Sequence, residues 1–133
     1  MKKIVVFIAI IIILIVYLCL RITKCSNFKT KFYSVNNNKY CLLTSVTEQE
    51  WERGLMFYKS KKELNGADGM IFIFPDKQIR NFWNKNTFID MDIYWMNDDT
   101  VVGKSFLPSI VKSKETVIVG SNENVNKVVE IIK

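Results

Sequence analysis

The sequence of 133 residues predicts a mainly β fold, an antiparallel sandwich or barrel with one short helix, preceded by an N-terminal transmembrane helix. Three observations lead there. An uncharged run, IVVFIAIIIILIVYLCL, fills Ile4 to Leu20. Beyond it, short apolar runs are separated by Asn, Asp, Gly and Pro clusters, as in chains of many short strands. A single S/T-x-x-E signature, Thr47-Glu48-Gln49-Glu50, marks the start of one helix. This gives a membrane anchor over residues 1–24, a tether over 25–30 and one β domain over 31–133.

Seventeen apolar residues lie at the short end of what spans a bilayer and exceed the usual core of a secretory signal. The exit, Tyr17-Leu18-Cys19-Leu20-Arg21, is bulky, so no signal-peptidase site is evident, and neither Cys19 nor Cys25 follows the small residues that lipoprotein processing requires. The run is apolar on every face, unlike an amphipathic core helix. An uncleaved anchor is therefore expected. Lys2 and Lys3 before it and Arg21, Lys24, Lys29 and Lys31 after it divide the positive-inside signal.

Lys31 to Val35 and Lys39 to Val46 read as a hairpin around Asn36-Asn37-Asn38, because Asn tolerates left-handed turn geometry. A helix begins at Glu48, with Trp51 and Leu55 on one face, and Gly54 keeps it short, to about Tyr58. The loop KSKKELNGADG follows, with Gly66 and Gly69 giving freedom to turn. MIFIF, Met70 to Phe74, is apolar on both alternating faces, as in a central strand, and Pro75-Asp76 ends it. Strands are expected over Ile79 to Asn84, Met91 to Met96 and Thr100 to Phe106, with Asn97-Asp98-Asp99 as the second tight turn. Thr116 to Val119 and Val125 to Ile132 close the domain.

The formal charge of +6 does not describe a nucleic-acid face. Lys2, Lys3, Arg21 and Lys24 flank the anchor, and setting those four aside leaves 15 basic against 13 acidic residues. With no histidine, imidazole bases, His-based triads and nearly all common zinc sites are excluded, which leaves carboxylates, lysines and hydroxyls as possible catalysts. No metal-ligand spacing occurs among the three cysteines. Cys25 and Cys41 can pair in an oxidising compartment; the plainer expectation is a free thiol near the membrane and a buried Cys41.

Four segments carry a resemblance: Arg53-Gly54-Leu55-Met56-Phe57, Gly69-Met70-Ile71-Phe72-Ile73-Phe74-Pro75, Phe82-Trp83-Asn84-Lys85-Asn86-Thr87, and Asp92-Ile93. In order and spacing they resemble the family catalogued as domain of unknown function 192, with its R-G-L-M-F, G-M-L-F-x-F-P, F-W-M-K-N-T and L-D-I pattern. The resemblance covers about residues 45 to 132. It implies a compact, mostly β, jelly-roll-like domain often carried behind an export signal or anchor, and it implies no activity. It also inclines the topology toward a domain outside the cytoplasm. Asn84 stands where the family usually has Met, and Asp90 where Pro is common.

The matched polar residues Arg53, Trp83, Lys85, Asn86, Thr87 and Asp92 are the candidate ligand-binding residues. In one reading they converge on an anion or polar-ligand pocket, with Arg53 and Lys85 as donors and Trp83 as an apolar wall. In the other, Arg53 pairs with Asp92 while Asn86 and Thr87 satisfy backbone groups at a bend. Asp90 and Asp92 would lie about 7 Å apart on one strand face, but such a pair falls short of a calcium cage, and a solvent-facing Asp90 is expected. No metal and no cofactor is implied. The leading functional expectation is an extracytoplasmic binding or assembly module at the cell envelope, held to the membrane by its N-terminal helix and facing an unknown envelope ligand or protein, with no nucleic acid. An enzyme using carboxylate or lysine chemistry on envelope or carbohydrate substrates is the alternative, and a purely structural anchor protein the third.

Overall fold

Asn36 and Asn37, both at positive φ (49° and 65°), close a two-residue turn between β1 (Thr30–Val35) and β2 (Asn38–Ser45). A computed structural model describes residues 2–22, 25 and 29–133 of the chain. Thr47 then caps α2 (Glu48–Arg53): its hydroxyl accepts from the Glu50 N–H, and the Glu50 carboxylate accepts from the backbone of Val46 and Thr47. Those backbone donors, Val46 first, hold the Glu50 carboxyl below its ordinary range. The helix stops at Arg53, short of Tyr58, because Gly54 adopts φ 47° and ψ −133°, a conformation that costs glycine little.

The crossover through α2 returns the chain so that β3 (Gly69–Gln78) lies parallel to β2, which departs from the all-antiparallel expectation. The main sheet has the order β1-β2-β3-β8-β5-β6, with β5 (Met91–Asn97), β6 (Thr100–Leu107) and β8 (Val125–Ile132) antiparallel to their neighbours. It is a curled half-barrel. β3 continues through Pro75, and its pairing with β8 is interrupted between Ile73 and Gln78, where proline offers no N–H to the ladder. β8 is an interior strand, not a closing edge.

Of the stretch Ile79 to Asn84, only β4 (Asn81–Trp83) is strand, and it leaves the main sheet to pair with β7 (Ile118–Gly120). One further short helix, α3 (Ile110–Ser113), capped by Ser109, has no counterpart in the sequence reading, since four residues show no period.

The sheet is buried on both faces. On one side Leu55, Leu64, Phe72, Phe74, Ile93, Trp95 and Val128 form the larger core under α2 and β4; on the other, Val35, Leu42, Ile71, Met96 and Val129 form a smaller one. Cys25 and Cys41 form a disulfide that joins the tether to β2, in place of the free thiols expected. The N-terminal segment is helical over Lys2–Ile22 as α1. Its described side chains, those of residues 6–17, are all exposed. Among the described residues no helix is long and apolar enough to cross a membrane.

Gly69 is not the flexible turn residue expected. A Cβ there would stand 1.8 Å from the Glu130 carbonyl oxygen, so the side-chain-free position lets β3 meet β8. A Cβ at Gly103 would meet only the Trp95 ring, at 3.2 Å. Thermal denaturation of Gly69→Ala is expected to show a loss of about 3 kcal/mol or more, well beyond that of Gly103→Ala; equal losses would contradict this register.

Candidate functional site

β4 stands over the sheet because Phe82 turns inward, edge-on to Phe72 (4.8 Å between centroids) and Trp95 (5.8 Å), while Asn81 and Trp83 on either side remain exposed. Across from it, Trp51 of α2 packs on Phe74 at 4.9 Å, and its indole N–H donates to the Ser45 carbonyl at 3.2 Å. Between these two elements opens a cleft of about 720 Å³, walled by Trp51, Met56, Phe74, Ile79, Phe82 and Trp83, with Glu52, Arg80 and Asn81 as its polar members. The Arg80 guanidinium lies 4.0 Å from the Phe74 ring centroid and is ion-paired with Asp76.

Beneath the cleft lies a hollow of about 30 Å³, which shares Trp51, Glu52, Met56, Phe82 and Trp83 with it and adds Arg53, Gly54, Thr87 and Glu130. Glu130 is the unexpected member. It sits mid-strand in β8 between Met70 of β3 and Ile93 of β5, is 4% exposed, and its Oε2 has no hydrogen-bond partner among the described residues. Burial pushes its carboxyl up to about 8, with no neighbouring charge contributing. At neutral pH it is therefore mostly the uncharged acid. Gly54 is its roof: a Cβ there would meet the Phe72 ring at 3.3 Å and Oε2 at 3.9 Å. One signal in the sequence pointed to Glu130, an acid within the apolar run VVEII.

Of the residues singled out from sequence, Arg53, Trp83 and Thr87 come together around this hollow. The Lys85 ammonium lies 5.1 Å from the centroid of the Trp83 ring, exposed at the rim. Asn86 shapes the bend: it has φ 54°, and its carbonyl accepts from the Phe57 N–H at 2.8 Å. The buried Thr87 hydroxyl donates to the Lys85 carbonyl at 3.3 Å.

Asp92 is not brought to this group. It shares its sheet face with Tyr94 and Ile131, on the smaller-core side, and pairs with Lys104 (2.9 Å) and Lys133 (3.2 Å) instead of the Arg53 expected. That bond to Asp92 holds the Lys104 ammonium above its ordinary range. Asp90, expected to face solvent, is half-buried, accepts from the Ser109 N–H and pairs with Lys112; these partners lower its carboxyl. Among the described residues no cluster suited to a metal ion occurs.

Asn84 proves to be structural. It is fully buried, and its amide donates to the Pro108 carbonyl (2.9 Å) and Ser113 Oγ (2.8 Å) while its Oδ1 accepts from the Val117 N–H (2.8 Å). These bonds tie the bend after β4 to the segment before β7.

The family model for DUF192, described as an uncharacterized ACR, matches residues 33–133. The chain belongs to the DUF192 family. The solved structures it is similar to include a protein of Sinorhizobium meliloti 1021 described as a candidate transcription regulator (22% identity over 77% of this chain and 78% of that one, TM-score 0.59). Another is a protein of unknown function from Novosphingobium aromaticivorans DSM 12444 (21% identity, 77% and 71% covered, TM-score 0.61). At these identities the likeness is one of fold. Among curated proteins no relative matches.

In this DUF192 domain the raised carboxyl of Glu130 gives a signed prediction. Its stabilising contribution is present in full below the unfolded-state value near 4.5 and is lost as pH rises to about 8, a total on the order of a few kcal/mol. The melting temperature of the wild type should thus fall relative to Glu130→Gln between about pH 5 and about pH 8; a constant difference across that range would contradict a neutral buried acid.

Proposed function

We propose that this DUF192 protein is a membrane-tethered binding module at the cell envelope, its domain outside the cytoplasm, and that the aromatic cleft between α2 and β4 is its ligand seat. The observation that carries this is the cleft itself: a concave, largely apolar site of about 720 Å³ with a few polar groups at its border and an unpartnered buried acid beneath it, the usual composition of a small-molecule site. The anchor rests on the uncharged run Ile4 to Leu20. The Cys25–Cys41 disulfide suits an oxidising compartment.

The enzymatic alternative has one specific point in its favour, since Glu130 is a displaced carboxyl in a concave site. Its residues are then not those expected, because Asp92 is paired on the other face. A purely structural anchor protein would present a continuous apolar patch. Here the exposed rings of Phe88 and Phe106 lie under Lys59 and under Lys112 and Lys133, so charge interrupts the apolar surface around these two rings.

Protease added to intact cells is expected to digest the domain while a cytoplasmic control survives; a domain protected until lysis would contradict the topology. For the seat, tryptophan emission of the full chain should shift on titration with at least one envelope fraction, and Trp83→Ala should weaken that response at least tenfold. An unchanged response in the variant would remove the cleft from consideration.

A further inference from the structure

We infer that the hollow over Glu130 is the recognition end of the cleft and takes one hydroxyl group of a neutral, polyhydroxylated ligand, a glycan, with the Glu130 carboxyl donating to it. This rests on the reading of the cleft as the ligand seat and names the chemistry that the seat selects.

Size comes first. A volume of about 30 Å³ accommodates a group the size of water and nothing as large as a ring, whereas the cleft above it, about 720 Å³, has room for sugar rings. The exposed indole of Trp83 and the ring of Trp51 supply flat apolar walls for the carbon face of such rings.

Hydrogen bonding decides the group. Thr87 uses its hydroxyl proton on the Lys85 carbonyl, so toward the hollow it offers acceptor lone pairs. Glu130, kept uncharged by burial, offers an O–H. One donor and one acceptor lining the same small hollow suit a hydroxyl, which accepts and donates at once. A fully ionised carboxylate has no proton for Thr87.

Charge agrees. The charged groups lining the hollow are Glu52 and Arg53, both from α2, and they oppose each other in sign; β3, β4 and β8 contribute only Phe72, Phe82, Trp83 and Glu130 itself. Its cross-strand neighbours, Met70 and Ile93, are uncharged. No net field there favours an ion.

The test uses the full chain in phospholipid nanodiscs, titrated calorimetrically with chitotetraose and maltotetraose as neutral probes and tetragalacturonate as the charged control. The wild type is expected to bind at least one neutral probe and to bind the charged one less well. Its affinity should fall about tenfold from pH 7 to pH 9 as Glu130 ionises. Glu130→Gln, whose amide still donates, should bind without that fall, and Glu130→Leu should lose at least tenfold at pH 7. Failure of both neutral probes to bind overturns the inference. Binding that Trp83→Ala abolishes, but whose affinity and pH profile the Glu130 variants leave unchanged, keeps the cleft and overturns the role of Glu130, the hollow then holding only a structural water. Binding untouched by Trp83→Ala overturns both.

Discussion

The architecture depends on one seam, the pairing of β8 with β3 on one side and β5 on the other. The β1-β2-β3 half and the β5-β6 half meet only through this strand in the main sheet. β8 is laddered on both edges, and its central residues Val128, Val129 and Glu130 are buried. Gly69 lets the seam close, since its missing Cβ is the space taken by the Glu130 carbonyl. The same closure forces the Glu130 carboxyl into an apolar layer beneath α2 and β4. Solvation energy favours its proton there, and no ion partner offsets the burial.

Two other features leave that buried acid beneath a cleft. Gly54 ends α2 with a backbone that only glycine adopts easily, which leaves a small void over the carboxyl. Asn84 fixes the bend after Trp83 through bonds to Pro108, Ser113 and Val117, so the outer wall of the cleft is held from behind. The apolar walls, the bend and the acid come from α2, β4 and β8, far apart in sequence, and the sheet order brings them together.

Much of the fold was legible in the sequence because it follows from local rules. The Thr47–Glu50 capping box, the Asn36–Asn37 turn and the two-faced apolar run of β3 each act over a few residues. The parallel step from β2 to β3 and the departure of β4 from the main sheet were not legible, since both depend on where the chain returns after a connection. The site divided along the same line. Arg53, Trp83 and Thr87, singled out through their motifs, lie together around the hollow, but Asp92 was grouped with them because spacing does not reveal which face of a sheet a strand residue occupies relative to a distant helix. Glu130 was passed over because an acid inside VVEII gains its meaning only when the strand is known to be interior. Asn84 was read as the last residue of a strand and a departure from the family pattern; burial with full hydrogen bonding explains its presence.

A neutral carboxylic acid is held at the floor of a cleft on this domain. The most direct measurement is the ¹³C chemical shift of the Glu130 carboxyl followed through a pH titration of the selectively labelled full chain. A midpoint at about 8 is expected; a midpoint in the ordinary glutamate range, about 4.3, would contradict a neutral buried acid.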